Sequence, residues 1–372
     1  MDRNGPEEKN ILSLRDVIQV MNSQKRREVE RIQALVEAST VPLPDDVVRA
    51  LSMLNPADVR DVIRNHAGFK NWERLGSYRV ALSVFRQCID DLFSAISVFD
   101  TRSKDGSIFD ARRNGELAGI KRVVQKELFS CANAAHSLVD HSTRRLQKSI
   151  EIPKYSEKLQ MCFGNDGLHE FIISLRTLLH HLHMVEPGWN VQHNFEGGQQ
   201  KGSFKLNRDE LLKAIERERK AFGKNLEKTL EFIQKSPASI DLENVFQDYR
   251  TRADTFYSWF DSELEAFPME AVRDYERCLL ESKKQGARVY WNMMIGNWVQ
   301  WEKPPNPYDH LHKYLTEDQL SAILGLEKGS MEQIDAIIRV VDTDNACDAE
   351  LRERIHKYFD KAMAAAETSG DS

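Results

Sequence analysis

Between Leu168 and His183 the chain gathers four of its eleven histidines around an arginine: His169, Arg176, His180, His181 and His183. Imidazoles titrate near neutral pH and a guanidinium stays charged, so such a cluster has the groups for acid–base work beside an anion. A helix turns about 100° per residue. That places His169, Arg176, His180 and His183 opposite the apolar stripe Phe171, Leu175, Leu178 and Leu182. One reading is therefore the solvent-facing side of a bundle helix. A second is metal binding, which needs at least three converging ligands. His180 and His183 lie three apart, and Asp140 and His141 stand on an earlier helix, but no HExxH or CxxC pattern accompanies them. No metal and no cofactor is expected. The third reading is acid–base catalysis.

The elements that must hold these residues are helical. Leu75, Tyr78, Leu82, Phe85, Ile89, Leu92, Ile96 and Phe99 recur at threes and fours, which buries one face of a long helix. From Glu116 a second helix carries Ile120, Val124, Leu128, Cys131, Ala135 and Leu138, and ends before Pro153. The histidine-bearing helix begins near Leu168 and stops before Pro187–Gly188. Trp189–Asn207 alternates polar and apolar residues around EGGQQKG and predicts a β-hairpin. Asn207 then caps the next helix, and another runs from Asp241 through Trp259. The expected class is all-α, an up-down helical bundle with a small hairpin insertion near residues 190–206. Its expected span is residues 72–266, with a helical lead-in at 1–71 and a helical C-terminal region at 267–372.

In the lead-in, Val17–Ala38 reads as a charged helix and Asn55–Pro56 as a cap followed by a first-turn proline. In the C-terminal region a helix runs from Glu270 to about Trp298, and the prolines at 304, 305 and 307 predict a stiff extended connector. Thr316-x-x-Gln319 and Ser330-x-x-Gln333 read as capping boxes, and Leu351–Ala366 as the last helix.

The stretch LRTLLHH contains Arg-x4-His, Arg176 to His181, and resembles the R-x4-6-H motif of the HEPN superfamily of helical bundles. Leu128–Leu146, FIISLRTLLHH, LNRDELL and Tyr249–Phe260 are similar, in order and spacing, to a group of bacterial HEPN-like proteins. The likeness spans about Leu75–Leu264. It implies a metal-independent RNA endonuclease, a toxin or phage-defence effector, working as a homodimer that shares its site between protomers. His181 would take the proton of a ribose 2′-OH, and Arg176 would hold the negative phosphorane. Thr177 stands where the family commonly has asparagine, aspartate or histidine. On a straight helix His180 lies above Arg176, whereas His181 lies about 140° around. His180 is therefore the alternative base, and Asp140 the residue expected to orient a histidine. The rival reading is a non-catalytic helical protein whose histidine-rich face or C-terminal aromatics dock a protein partner.

Composition bounds the rest. With 372 residues, 41% apolar and 30% charged, the chain is globular, and a net charge of −6 argues against a long duplex grip. No apolar run approaches a bilayer span, and the charged start MDRNGPEEKN predicts a cytoplasmic protein without a membrane partner. The five cysteines are scattered and read as buried thiols. Walker A, GxGxxG and GxSxG patterns are absent, which disfavours nucleotide hydrolysis, dinucleotide redox and serine-esterase chemistry.

Overall fold

A computed structural model describes residues 14–104, 106–182, 187–194 and 199–369. In chain order its helices are α1 (Leu14–Ala38), α2 (Asp45–Ser52), α3 (Pro56–Ile63), α4 (Phe69–Ser103) and α5 (Asn114–Val139). Then come α6 (Lys148–Ile150), α7 (Tyr155–Phe163), α8 (Leu168–Leu182), α9 (Arg208–Arg217), α10 (Arg219–Phe222), α11 (Leu226–Lys235) and α12 (Leu242–Ala266). The last four are α13 (Glu270–Gln300), α14 (Glu317–Leu324), α15 (Met331–Val341) and α16 (Ala349–Ser369). The strands are β1 (Gly188–Asn194), β2 (Gln199–Asn207) and β3 (Ser239–Asp241). The class is thus mostly α with a small antiparallel sheet, as the periodicity predicts. Among the described residues no helix is long and apolar enough to cross a membrane.

The chain divides into two compact units, one of Asn71–Pro268 and one combining the chain up to Lys70 with the chain from Met269. In the central unit every residue of the α4 stripe is buried. α4 packs against α12 in opposite senses: Tyr78 meets Phe260 edge-on at 5.3 Å between ring centres, and Phe85 meets Tyr249 at 5.9 Å. Arg86–Asp254 and Arg250–Asp90 flank this seam. On α8, Phe171 stacks on Phe232 of α11 at 4.9 Å, and Ser174 hydrogen-bonds Thr229 at 2.9 Å in the interior.

The sheet is one strand larger than predicted. β1 and β2 form the expected hairpin, but β2 also pairs with β3 through Leu206 opposite Ile240. Phe204, Leu206 and Ile240 are buried on one face. Gly202 donates its amide to Asp100 at 2.7 Å, fixing the hairpin to the end of α4. Asn207 caps α9 by accepting from Asp209 and Glu210, and Asp241 caps α12 by accepting from Asn244.

In the terminal unit α2 and α3 pack on α13, and α13 packs on α16. Asn55 caps α3 with Pro56 in the first turn, and Thr316–Gln319 is a complete capping box. The second expected box is half made. Ser330 accepts from Gln333, but the Gln333 side chain is buried and donates to the Ile323 carbonyl at 3.0 Å while accepting from Tyr308 at 2.7 Å. The proline connector is short: residues 304–306 carry no helix or strand, with Asn306 in the extended region, and the third proline already belongs to the next element. Pro307–Lys313 winds into a 3₁₀ turn, and Tyr358 of α16 donates to the Pro305 carbonyl at 2.7 Å.

Candidate catalytic site

α8 starts where Gly167 allows a left-handed turn, with φ of 81°. A side chain there would strike the Lys228 carbonyl, since a Cβ would lie 2.3 Å from it. The glycine therefore lets α8 settle against α11 and fixes where Arg176 emerges. Opposite, α5 delivers His136, and its axis continues into a π-helix over Asp140–Gln147. Bonding from each residue to the fifth is uncommon in helices and recurs at functional sites.

The π segment is anchored by side chains. Ser142 donates to the Leu138 carbonyl at 2.7 Å and lies 3.2 Å from the Tyr257 hydroxyl, and Thr143 shares a 2.6 Å bond with Tyr155. Bringing the fifth residue round lets two arginines reach one carboxylate. Asp140 pairs with Arg144 at 3.3 Å and with Arg145 at 3.1 Å.

The central contact joins α5 to α8. Nη1 of Arg176 lies 3.0 Å from Nδ1 and 3.2 Å from Nε2 of His136, and both residues are half-buried. A guanidinium only donates, so it bonds to whichever imidazole nitrogen is unprotonated. Protonating that ring would set two positive charges in contact. Burial, followed by Arg176 and Arg144, pulls the His136 pKa below its ordinary value, against an upward pull from Asp140. His136 is therefore a neutral base touching a fixed cation at neutral pH.

The predicted residues are distributed as follows. Arg176 is at this contact. Asp140 is near His136 but is ion-paired with the two arginines of its own helix, not hydrogen-bonded to a described histidine. The side chains of His180 and His181, and the whole of His183, lie outside the described residues. The solvent-face reading of α8 fails at two positions. His169 packs between Phe163 and Tyr249, with ring centres 4.9 and 6.0 Å away, and hydrogen-bonds the Tyr249 hydroxyl at 3.2 Å. Arg176 is turned onto α5. Both side chains pack against neighbouring elements that a helical wheel does not contain.

His136 escaped the sequence reading. Its signal was local and faint: His136, Asp140 and Arg144 stand at successive steps of four, which stacks them on one helix face.

Among the described residues, the set of histidine, cysteine and carboxylate atoms close enough to share a metal is His66, Asp274 and Cys278, all buried in the terminal unit. Its chemistry is that of a hydrogen-bond hub. Nδ1 of His66 accepts from the Gly68 amide at 2.9 Å, so the proton sits on Nε2 and is donated to Asp274 at 3.1 Å. Asp274 also accepts from the Leu43 amide at 2.7 Å and from Arg277 at 3.0 Å. Burial, with Asp274 adding to it, pushes the Cys278 thiol up to about 11, so the sulfur stays protonated. A guanidinium on the carboxylate and a protonated thiol do not suit a cation.

No family model, curated protein or solved structure matches the chain.

Proposed function

We propose that the protein is a HEPN-like, metal-independent RNA endonuclease. The observation that carries this reading is the Arg176 guanidinium lying 3.0 Å from a neutral His136 imidazole across α5 and α8. Cleavage by an adjacent ribose hydroxyl requires a base for the 2′-OH, a cation for the phosphorane and an acid for the 5′-oxygen leaving group. Arg176 serves as the cation. A substrate phosphate competes for its N–H groups and frees the His136 nitrogen beside the same phosphate. His181, with His180 as the alternative, is the motif histidine, and it divides the two proton transfers with His136. The π segment supports the reading because Arg144 lies close enough to His136 to act on its charge, and Arg144 and Arg145 together outnumber the one carboxylate, Asp140, that they share, which leaves positive charge for the flanking RNA backbone. The family likeness adds a homodimer sharing its site, and a role as a toxin or phage-defence effector.

The chemistry is tested with a short RNA and its copy carrying a single 2′-deoxyribose, both incubated with EDTA. The reading expects 2′,3′-cyclic phosphate ends from the RNA, and no cut at the deoxy position. Cleavage there, or dependence on a divalent ion, refutes it.

A second reading has an observation of its own. Leu280, Tyr290 and Met293 on α13, and Trp301 just beyond it, are more than half exposed, at 55, 57, 54 and 53%. Large apolar side chains in that state suit a protein-binding face. A chain that cuts no RNA but loses a partner on Tyr290→Glu would favour this non-catalytic reading.

A further inference from the structure

The terminal unit holds a cleft of about 480 Å³ between α2 and α13. Pockets of a few hundred Å³ are the size that encloses small molecules. Its walls carry four cations, Arg49, Arg277, Lys284 and Arg288, against two carboxylates, Asp45 and Glu281. The local balance is therefore +2 in a chain whose net charge is −6.

Two of the cations are already committed. Arg277 binds Asp45 at 2.7 Å, Asp274 at 2.9 Å and the Leu43 carbonyl at 2.5 Å. Arg288 is tied through Nε to the Ala346 carbonyl at 3.0 Å and to Asp348 at 3.3 Å. The other two differ. Among the described residues the side chains of Arg49 and Lys284 make no hydrogen bond or ion pair. Glu281 stands in the same cleft and is also unpaired.

We propose that this cleft binds a small phosphate ester bearing hydroxyl or amino groups. Arginine meets phosphate oxygens with a flat fork of donors, and lysine adds a point charge. An unpaired Glu281 beside them disfavours a bare polyanion and favours a ligand that also donates hydrogen bonds. Gln285, on the same wall, can accept or donate to the same groups. The buried Val48 and the exposed Met53 supply an apolar surface for a sugar or base. The volume limits the occupant to a small molecule and not a folded partner. This site belongs to the terminal unit, so it stands whether or not Arg176 cleaves RNA.

The test is calorimetric titration of the full chain with three probes: pyrophosphate, ribose 5-phosphate and ADP. Saturable binding of ribose 5-phosphate or ADP, tighter than that of pyrophosphate, is expected. Arg49→Ala and Lys284→Ala should each weaken it by about tenfold, the scale of one charge-assisted contact. Both side chains are unpaired, so both variants should fold, which circular dichroism checks. Lys313→Ala, a change at an exposed lysine outside the cleft, should leave affinity unaltered. The proposal is overturned by no saturable binding at about 1 mM. It is equally overturned by pyrophosphate binding as tightly as the esters, or by equal losses in all three variants.

Discussion

Replacing Asp274 with alanine should remove the keystone of the terminal unit. The carboxylate is buried and accepts from the Leu43 amide, the His66 ring and the Arg277 guanidinium. Arg277 keeps Asp45 and the Leu43 carbonyl as partners, so its loss is small. The Leu43 amide and His66 Nε2–H keep nothing, and each buried donor left unpaired costs about 1–3 kcal/mol. The expected destabilisation is about 3–5 kcal/mol, the range for breaking a buried charged contact. Urea unfolding followed by tryptophan fluorescence measures it, with a double-mutant cycle against His66→Phe. That change deletes one orphaned donor, so the double variant should recover about 1–3 kcal/mol relative to the sum of the singles. Acid should act in the same direction. Burial raises the Asp274 pKa, but the Leu43 amide, His66 and Arg277 together outweigh it and hold the group below its ordinary value. A lowered folded-state pKa means the contribution is complete above about pH 4 and is lost as pH falls through that pKa. Stability within about 1 kcal/mol of wild type for Asp274→Ala, or strict additivity in the cycle, would refute this reasoning.

Two further outcomes concern the central unit. Arg176→Ala removes a positive charge from beside His136, so the histidine pKa should rise towards its ordinary value; NMR titration of the ring protons reads the shift, and an unchanged or lower pKa contradicts the contact. Gly167→Ala should cost about 3 kcal/mol, because a left-handed backbone and a blocked approach to the Lys228 carbonyl act together; thermal unfolding checks it, and a neutral substitution would mean α8 is seated differently.

What could be read from the sequence was whatever is encoded locally. The α4 stripe follows from apolar spacing alone, and the Asn55, Asn207 and Thr316 caps follow from short side chains beside acidic or glutamine-bearing first turns. The features that escaped depend on residues distant in sequence. β3 is three residues long, and its pairing with Lys205–Asn207 has no signature at either end. Gln333 fits a capping box by spacing, yet Tyr308 and the end of α14 offer it better partners. At the candidate site, Arg176 stood out by its type and neighbours. His136 meets it from forty residues away, so only packing of α5 on α8 brings the pair together. Asp140 was legible as a polar residue near an apolar register, but the π turn that gives it to Arg144 and Arg145 was not.

The activity proposed for the guanidinium and imidazole at the α5–α8 contact is RNA cleavage without a metal. Its most direct test is the single-turnover cleavage rate in EDTA for wild type, Arg176→Ala, His136→Ala, His180→Ala and His181→Ala, each checked for native circular dichroism. The account predicts a loss of about 10²–10³-fold for Arg176→Ala, the usual effect of removing one stabiliser of the developing charge. It also predicts losses for His136→Ala and for at least one of His180→Ala and His181→Ala. Equal rates in wild type and Arg176→Ala would contradict it.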